Sequence, residues 1–193
     1  MRIVAVILAG GAGARIGGGK TSRRLAGRTL LDRASSQARE WSDKVAVAVR
    51  EPNQVKGTRL RIILDDSEIE GPLAGLAAGL RYARDERADA VLTLPADMPF
   101  LPADLGERLQ DAVGGSAAAL ASSGGRLHPV CGLWRTAGLD RLADYLASGQ
   151  RSLRGFAQHV GFTAVEWPAT PNDPFFNINR AEDLAAAERL LKD

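Results

Sequence analysis

Cysteine is nearly absent: Cys131 is the only one in the 193-residue chain. A single thiol excludes an internal disulfide and any cysteine-based zinc cluster, and it fits a reducing compartment. Histidine is almost as scarce, with only His128 and His159, which excludes a histidine-rich metal site. An excess of charge of one sign is also missing. The balance of 25 basic and 23 acidic residues leaves a net +2, and the scattered arginines read as solvated helix faces, so nothing points to a nucleic-acid partner. Finally, no long apolar run occurs. The opening stretch Ile3 to Ala9 is far shorter than the ~20 residues of a membrane helix. No signal-peptide cleavage pattern follows it, so a cytoplasmic location without membrane attachment is expected.

What is present suits an ordinary α/β domain. Hydrophobic residues make up 45% and charged residues 25%, enough for a core without staples. One domain over residues 1–193 is expected. Ile3 to Leu8 is a continuous β-favouring run, as a strand buried on both faces would show, and Lys44 to Val49, Leu60 to Leu64 and Ala90 to Leu94 read as further strands. Between them, Thr29 to Trp41 has helical spacing, and Pro72 opens a helix whose buried stripe is Leu73, Leu76, Ala77, Leu80 and Ala83. Further on, helices are expected over Pro102 to Val113, Ala137 to Ala147 and Arg180 to Leu191. Strands are expected over Ser116 to Ala121, His128 to Trp134 and Phe162 to Trp167. Such alternation implies a three-layer α/β/α fold around a mostly parallel twisted sheet. Ligands of these folds sit beyond the carboxyl ends of the strands, which directs attention to the loop after the first strand and the turn after Leu94.

That first loop carries six glycines between residues 10 and 19, together with Arg15 and Lys20. Glycines at this density let backbone N–H groups approach a phosphate, and the two cations add charge. Two familiar phosphate motifs do not fit. The dinucleotide fingerprint needs a glycine where Ile16 stands, and a P-loop ending at Gly19-Lys20-Thr21 needs its first glycine at Ala14. The second near miss keeps a P-loop kinase or NTPase open as an alternative, beside a non-catalytic nucleotide-binding regulator. Asp97, at a strand end, is suited by its hard oxygens to a Mg²⁺ that also takes phosphate oxygens. Asp104 is the better candidate to cap the helix that follows. No Ser, Cys or His stands in a recognisable nucleophile arrangement, so no covalent intermediate is expected.

The loop resembles the signature of nucleotidyltransferases acting on molybdopterin and sugar phosphates: Leu8-Ala9-Gly10-Gly11, then Arg15-Ile16-Gly17-Gly18, then Lys20. Four further stretches extend the resemblance along nearly the whole chain. They are Asp65-Asp66-Ser67 with Gly71-Pro72-Leu73-Ala74-Gly75-Leu76, Pro95-Ala96-Asp97-Met98-Pro99-Phe100-Leu101, His128-Pro129-Val130-Cys131-Gly132-Leu133-Trp134, and Phe176-Asn177-Ile178-Asn179-Arg180-Ala181-Glu182-Asp183-Leu184. Together they identify a chain similar to the molybdenum cofactor guanylyltransferases. Two departures stand out. Gly19 occupies the position before Lys20 where the family tends to have an acid, and Ala48 or Arg50 falls where it tends to have an asparagine.

The resemblance implies a Rossmann-like nucleotidyltransferase that moves GMP from GTP to molybdopterin with Mg²⁺. It assigns Leu8, Ala9, Gly10, Gly11, Lys20, Asp66 and Asp97 to GTP, with Arg15, Lys20 and Asp97 catalytic and Asp97 on the metal. It assigns Arg151, Asn177 and Asn179 to the pterin, with Asn179 also suited to capping the last helix. Its implied partners are the two substrates and, among proteins, molybdoenzyme chaperones or other proteins of cofactor biosynthesis. Cytidylyl transfer to the same pterin is the nearest alternative. Asp97-Met98-Pro99-Phe100 resembles the guanylyl branch, whereas the cytidylyl branch tends to have Asp-Gln-Pro. His128 is left open between a structural and a substrate-contact role, and Cys131 is expected to be a small core residue.

Overall fold

The computed structural model describes residues 1–10 and 22–191. Its frame is a seven-stranded sheet with the order β5-β4-β1-β6-β8-β7-β9. The strands are β1 (Ile3–Leu8), β4 (Val45–Val49), β5 (Arg61–Leu64), β6 (Ala90–Pro95), β7 (Ala118–Ser123), β8 (Arg126–Arg135) and β9 (Phe162–Trp167). β1 pairs in parallel with both β4 and β6, and β5 continues the parallel run. Within this sheet β8 alone runs against its neighbours, β6 and β7. A separate two-stranded hairpin, β2 (Arg24–Leu25) with β3 (Arg28–Thr29), precedes the first helix.

Why the sheet is covered on both faces follows from alternation along β1. Ala5 and Ile7 join one core and Val4 and Val6 the other, as the period of two in a strand requires. On the first face lie α1 (Leu30–Trp41) and α3 (Leu105–Val113); on the second lie α2 (Pro72–Asp85), α4 (Leu142–Ala147) and α5 (Leu153–Val160). α1 begins where the sequence places a cap, with Thr29 Oγ1 accepting from the Asp32 amide at 3.0 Å. The α2 stripe Leu73, Leu76, Ala77, Leu80 and Ala83 is fully buried. Each large aliphatic side chain withdrawn from water contributes about 1.5–3 kcal/mol. α6 (Ala181–Leu190) packs instead on the hairpin, in a small cluster of Leu25, Leu30, Ile178 and Ala187.

Besides the unexpected hairpin, three helical segments differ from expectation. The helix expected from Pro102 starts at Leu105, after a turn closed by the Leu105 amide on the Pro102 carbonyl; Asp104 stands at its N-cap as expected, but its side chain accepts from the Trp167 indole at 2.9 Å instead of from a helix amide. The expected helix over 137–147 is a 3₁₀ turn at Thr136–Arg141 followed by the short α4. Its start is held to the foot of β6, because the Thr136 amide and hydroxyl bond the Asp89 and Ala88 carbonyls. α5 has no counterpart among the expected elements. Its local signals are nevertheless ordinary: Ser152 Oγ accepts from the Gly155 amide, and Leu153, Phe156 and Ala157 are buried at helical spacing.

Candidate active site

The chain leaves β1 toward β4 and β5 on one side and returns to β6 on the other, so the order of strands reverses between β1 and β6. In open sheets of this kind, ligands bind beyond the carboxyl ends of the strands at such a point. Leu8, Ala9 and Gly10 lie at the carboxyl end of β1. The Ala9 amide donates to the Ala48 carbonyl at 2.9 Å, and the Ala96 amide donates to the Leu8 carbonyl at 3.3 Å. The backbone is therefore clamped between β4 and β6 just where the glycine-rich loop begins. Gly11, Arg15 and Lys20 lie outside the described residues.

On the β6 side, Asp97 is half-buried, two residues beyond Pro95. Its backbone carbonyl accepts the Ile178 amide at 2.9 Å. This bond brings the segment carrying Asn177 and Asn179 to the end of β6, across about 80 residues of sequence. Asn177 Oδ1 is buried with no hydrogen-bond partner, a position that costs free energy until a donor arrives. Asn179 is not the cap of the last helix. Arg180 holds that position, and Asp183 Oδ2 accepts from the amides of both Asn179 and Arg180 at 2.7 Å. The carboxylate satisfies both orphan N–H groups, which a single Asn179 side chain could not.

Cys131 lies in the core beneath Asp97 as a thiol. Burial, and then the negative charge of Asp97, push its titration well above the ordinary range. Among the described residues no three His, Cys, Asp or Glu side chains gather as a metal site. Asp97 thus offers one carboxylate at this strand end.

His128 belongs to a cluster that the sequence did not disclose. Ser123 Oγ lies 2.8 Å from His128 Nε2 and donates to Asp173 Oδ1 at 2.9 Å, and the Phe175 amide donates to the same oxygen. An ionised carboxylate only accepts, so the serine proton points to Asp173 and the imidazole donates through Nε2. The ring also stacks on Phe175, with centroids 4.6 Å apart. The order is wrong for an activated nucleophile, since the carboxylate holds the serine rather than the histidine. Ser123 is moreover only 2% exposed. The cluster instead ties the strand ends of β7 and β8 to the segment that reaches Asp97.

Burial lowers the affinity of His128 for a proton, with Arg126 adding to the effect and Asp173 and Glu166 opposing it. The folded imidazole therefore titrates below its ordinary value of 6.5. As pH falls through that value the unfolded chain takes up the proton first, so stability present above it declines and levels off once the folded ring is charged. Denaturation measured between about pH 7.5 and 5 should show this decline, and His128→Gln should flatten it. An equal slope in both proteins would remove His128 as its cause.

The two adjacent acids at the end of β5 have separate fates. Asp66 Oδ2 pairs with Arg81 on α2 at 2.6 Å, and its Oδ1 accepts from the Glu68 amide at 3.0 Å. The Arg81 bond holds its carboxyl below the ordinary range. Asp65 turns the other way and packs against Gly10 and Gly75. Arg151 is exposed in the turn between α4 and α5, where one guanidinium nitrogen donates to the Leu146 and Gln150 carbonyls. No bond joins it to the described residues around Asp97.

Comparison with known proteins agrees with this geometry. Residues 5–162 match the family described as the MobA-like NTP transferase domain. A molybdenum cofactor guanylyltransferase of Cereibacter sphaeroides is 41% identical over 194 residues, covering 100% of this chain and 98% of its own. One from Rhodopseudomonas palustris strain BisB5 is 43% identical over 198 residues, with coverages of 98% and 94%. Among solved structures, molybdopterin-guanine dinucleotide biosynthesis protein A from Archaeoglobus fulgidus superposes with a TM-score of 0.78 at 24% identity, over 98% of each chain. The 2-C-methyl-D-erythritol 4-phosphate cytidylyltransferase of Thermus thermophilus gives 0.71 at 22% identity over 100% of each. These two establish the nucleotidyltransferase fold. The near miss to a P-loop is thereby resolved: the chain belongs to the MobA-like NTP transferase family.

Proposed function

We propose that this chain transfers GMP from GTP to the phosphate of molybdopterin, forming the guanine dinucleotide form of the molybdenum cofactor and releasing pyrophosphate. An oxygen of the acceptor phosphate attacks the α-phosphorus, the bond from that phosphorus to the bridging oxygen breaks, and pyrophosphate leaves with the electron pair. The observation that carries this reading is the bond from the Ile178 amide to the Asp97 carbonyl. It sets the amides of the C-terminal segment beside the strand end that receives the nucleotide, so that donor and acceptor meet at one carboxylate. Alignment of the two substrates then supplies much of the catalysis.

Within a single domain, the N-terminal part holds the nucleotide and the C-terminal part the pterin. The backbone from Leu8 to Gly11 cradles the nucleotide, and Arg15 and Lys20 offset charge on the triphosphate and on the departing pyrophosphate. Asp97 holds Mg²⁺, which when bound polarises phosphoryl oxygens. Asn177 offers its unpartnered Oδ1 to an N–H of the pterin, and Asn179 and Arg151 complete the proposed pterin contacts. Among the described residues no helix is long and apolar enough to cross a membrane, and the cytoplasm is the proposed location.

The test is an incubation of the protein with Mg²⁺ and molybdenum-loaded molybdopterin, with GTP or CTP in separate reactions and the dinucleotide read by chromatography. Product with GTP alone is expected. Product with CTP alone would overturn the base assignment while keeping the chemistry, and product with neither would overturn the acceptor.

A further inference from the structure

We propose that Ser123, His128 and Asp173 are positioning residues for the acceptor: they hold the segment from Asp173 to Ile178 against the β7–β8 hairpin and so fix where Asn177 Oδ1 stands. The inference rests on the reading of Asn177 as an acceptor contact and names what aims it.

A segment tied at one point can pivot about it. The bond from the Ile178 amide to the Asp97 carbonyl is one such tie. The second lies at Asp173, where two donors converge on Oδ1: the Ser123 hydroxyl and the Phe175 amide, each at 2.9 Å. The Phe176 amide closes the turn on the Asp173 carbonyl at 3.2 Å, and the Phe175 bond is the local pattern by which an aspartate organises its own backbone. The ring of Phe175 is 3% exposed, stacked on His128 and met by Trp167 at 5.7 Å and 71°. Only Phe176 and Asn177 separate the two ties, and the Phe176 ring lies 6.5 Å from that of Phe100, in the turn beyond β6.

The hairpin side is shaped for this hold. Leu120 stands opposite Gly132 but Ala121 opposite His128, so Pro129, Val130 and Cys131 bulge out of the pairing. A bulge re-aims the side chains beside it. At one end of the bulge His128 Nε2 lies 2.8 Å from Ser123 Oγ; within it Cys131 Sγ comes within 3.7 Å of the sulfur of Met98, the neighbour of Asp97. Ser123 and His128 are 2% and 5% exposed. Burying them costs desolvation that an apolar pair would not incur, so the stability of the hairpin alone does not call for them. A connected polar cluster instead selects one arrangement among many. The arrangement selected here is that of the segment carrying Asn177, whose buried Oδ1 has no hydrogen-bond partner among the described residues.

The test takes two readouts from the full chain. Hydrogen–deuterium exchange of the apo protein, read on the peptide spanning residues 174–180, reports the hold itself. Ser123→Ala and Asp173→Ala are expected to speed its exchange about 10-fold, the lower end for a hydrogen bond to a charged group, while peptides of β1 and α2 exchange as in the wild type. Asp173→Asn keeps an oxygen that accepts both donors and should restore slow exchange. Steady-state kinetics with GTP and molybdopterin reads the consequence. The acceptor KM of both alanine variants is expected to rise about 10-fold, with GTP affinity by calorimetry at the wild-type value and the acceptor KM recovered in Asp173→Asn. The double variant should lose no more than the worse single one, since both break the same tie. Unchanged exchange at this peptide, or faster exchange throughout the chain, overturns the proposal, as does faster exchange there with an unchanged acceptor KM. If the wild type makes no product from molybdopterin, the reading of the acceptor falls by itself, and exchange at this peptide decides whether the cluster fixes Asn177.

Discussion

Asp97→Asn is expected to lower kcat by on the order of 10²–10³-fold, the size of losing one electrostatic contact to a transition state, while nucleotide affinity changes far less. Asparagine keeps the size of the side chain and leaves untouched the backbone carbonyl that accepts the Ile178 amide. The C-terminal segment therefore stays docked on β6. What disappears is the negative charge at the strand end, where the proposed divalent cation would be held. In water that charge is worth little, but Asp97 is half-buried above an apolar core containing Met98 and Cys131, and electrostatic interactions strengthen as the surroundings become less polar. Single-turnover kinetics with GTP and molybdopterin, beside calorimetry with GTP alone, separate the two effects. Turnover at the normal rate would remove Asp97 from the chemistry; parallel loss of affinity and rate would make it a binding residue only.

The frame was readable because it obeys short-range rules. β1 and β9 have the expected bounds, and the α2 stripe is buried at every position its spacing picks out. The hairpin at Arg24–Thr29 has strands of two residues, too short for a period to show. The capping of α6 went to Arg180 because Asp183 accepts two amides at once, a preference that residue type alone does not reveal.

The site was legible in its parts and not in its contacts. Asp97, Gly10 and Asn177 each stand out in sequence, yet the Ile178–Asp97 bond depends on where the chain returns after β9. The same holds for Ser123, His128 and Asp173, which meet only because β7 and β8 form a hairpin beside the segment after β9. Asp65 and Asp66 are chemically identical neighbours. Which of them packs against Gly10 is decided by the register of β5 on β4 and by the arginine that α2 places opposite Asp66.

Gly10→Ala is the variant in which these long-range constraints should be felt most directly, and turnover is expected to fall about 100-fold, the penalty of misplacing a reacting group by about 1 Å. The new methyl group would run into Asp65 Oδ2 and come within 2.9 Å of its Cγ. Neither side yields easily. The Ala9 amide is held to Ala48 and the Asp65 amide to Val49, so both backbones resist displacement and the strain falls first on the Asp65 side chain. The strain of such overpacking is about 1–3 kcal/mol, and relief by a backbone shift would displace the start of the loop that cradles the phosphates. The double variant Gly10→Ala/Asp65→Ala tests the cause. If the collision is responsible, truncating Asp65 makes room for the methyl group. Stability and turnover of the double variant then return to those of Asp65→Ala alone, a non-additivity expected only of residues in contact. Simple addition of the two single losses would show instead that Gly10 matters for its backbone and not for the space it leaves to Asp65.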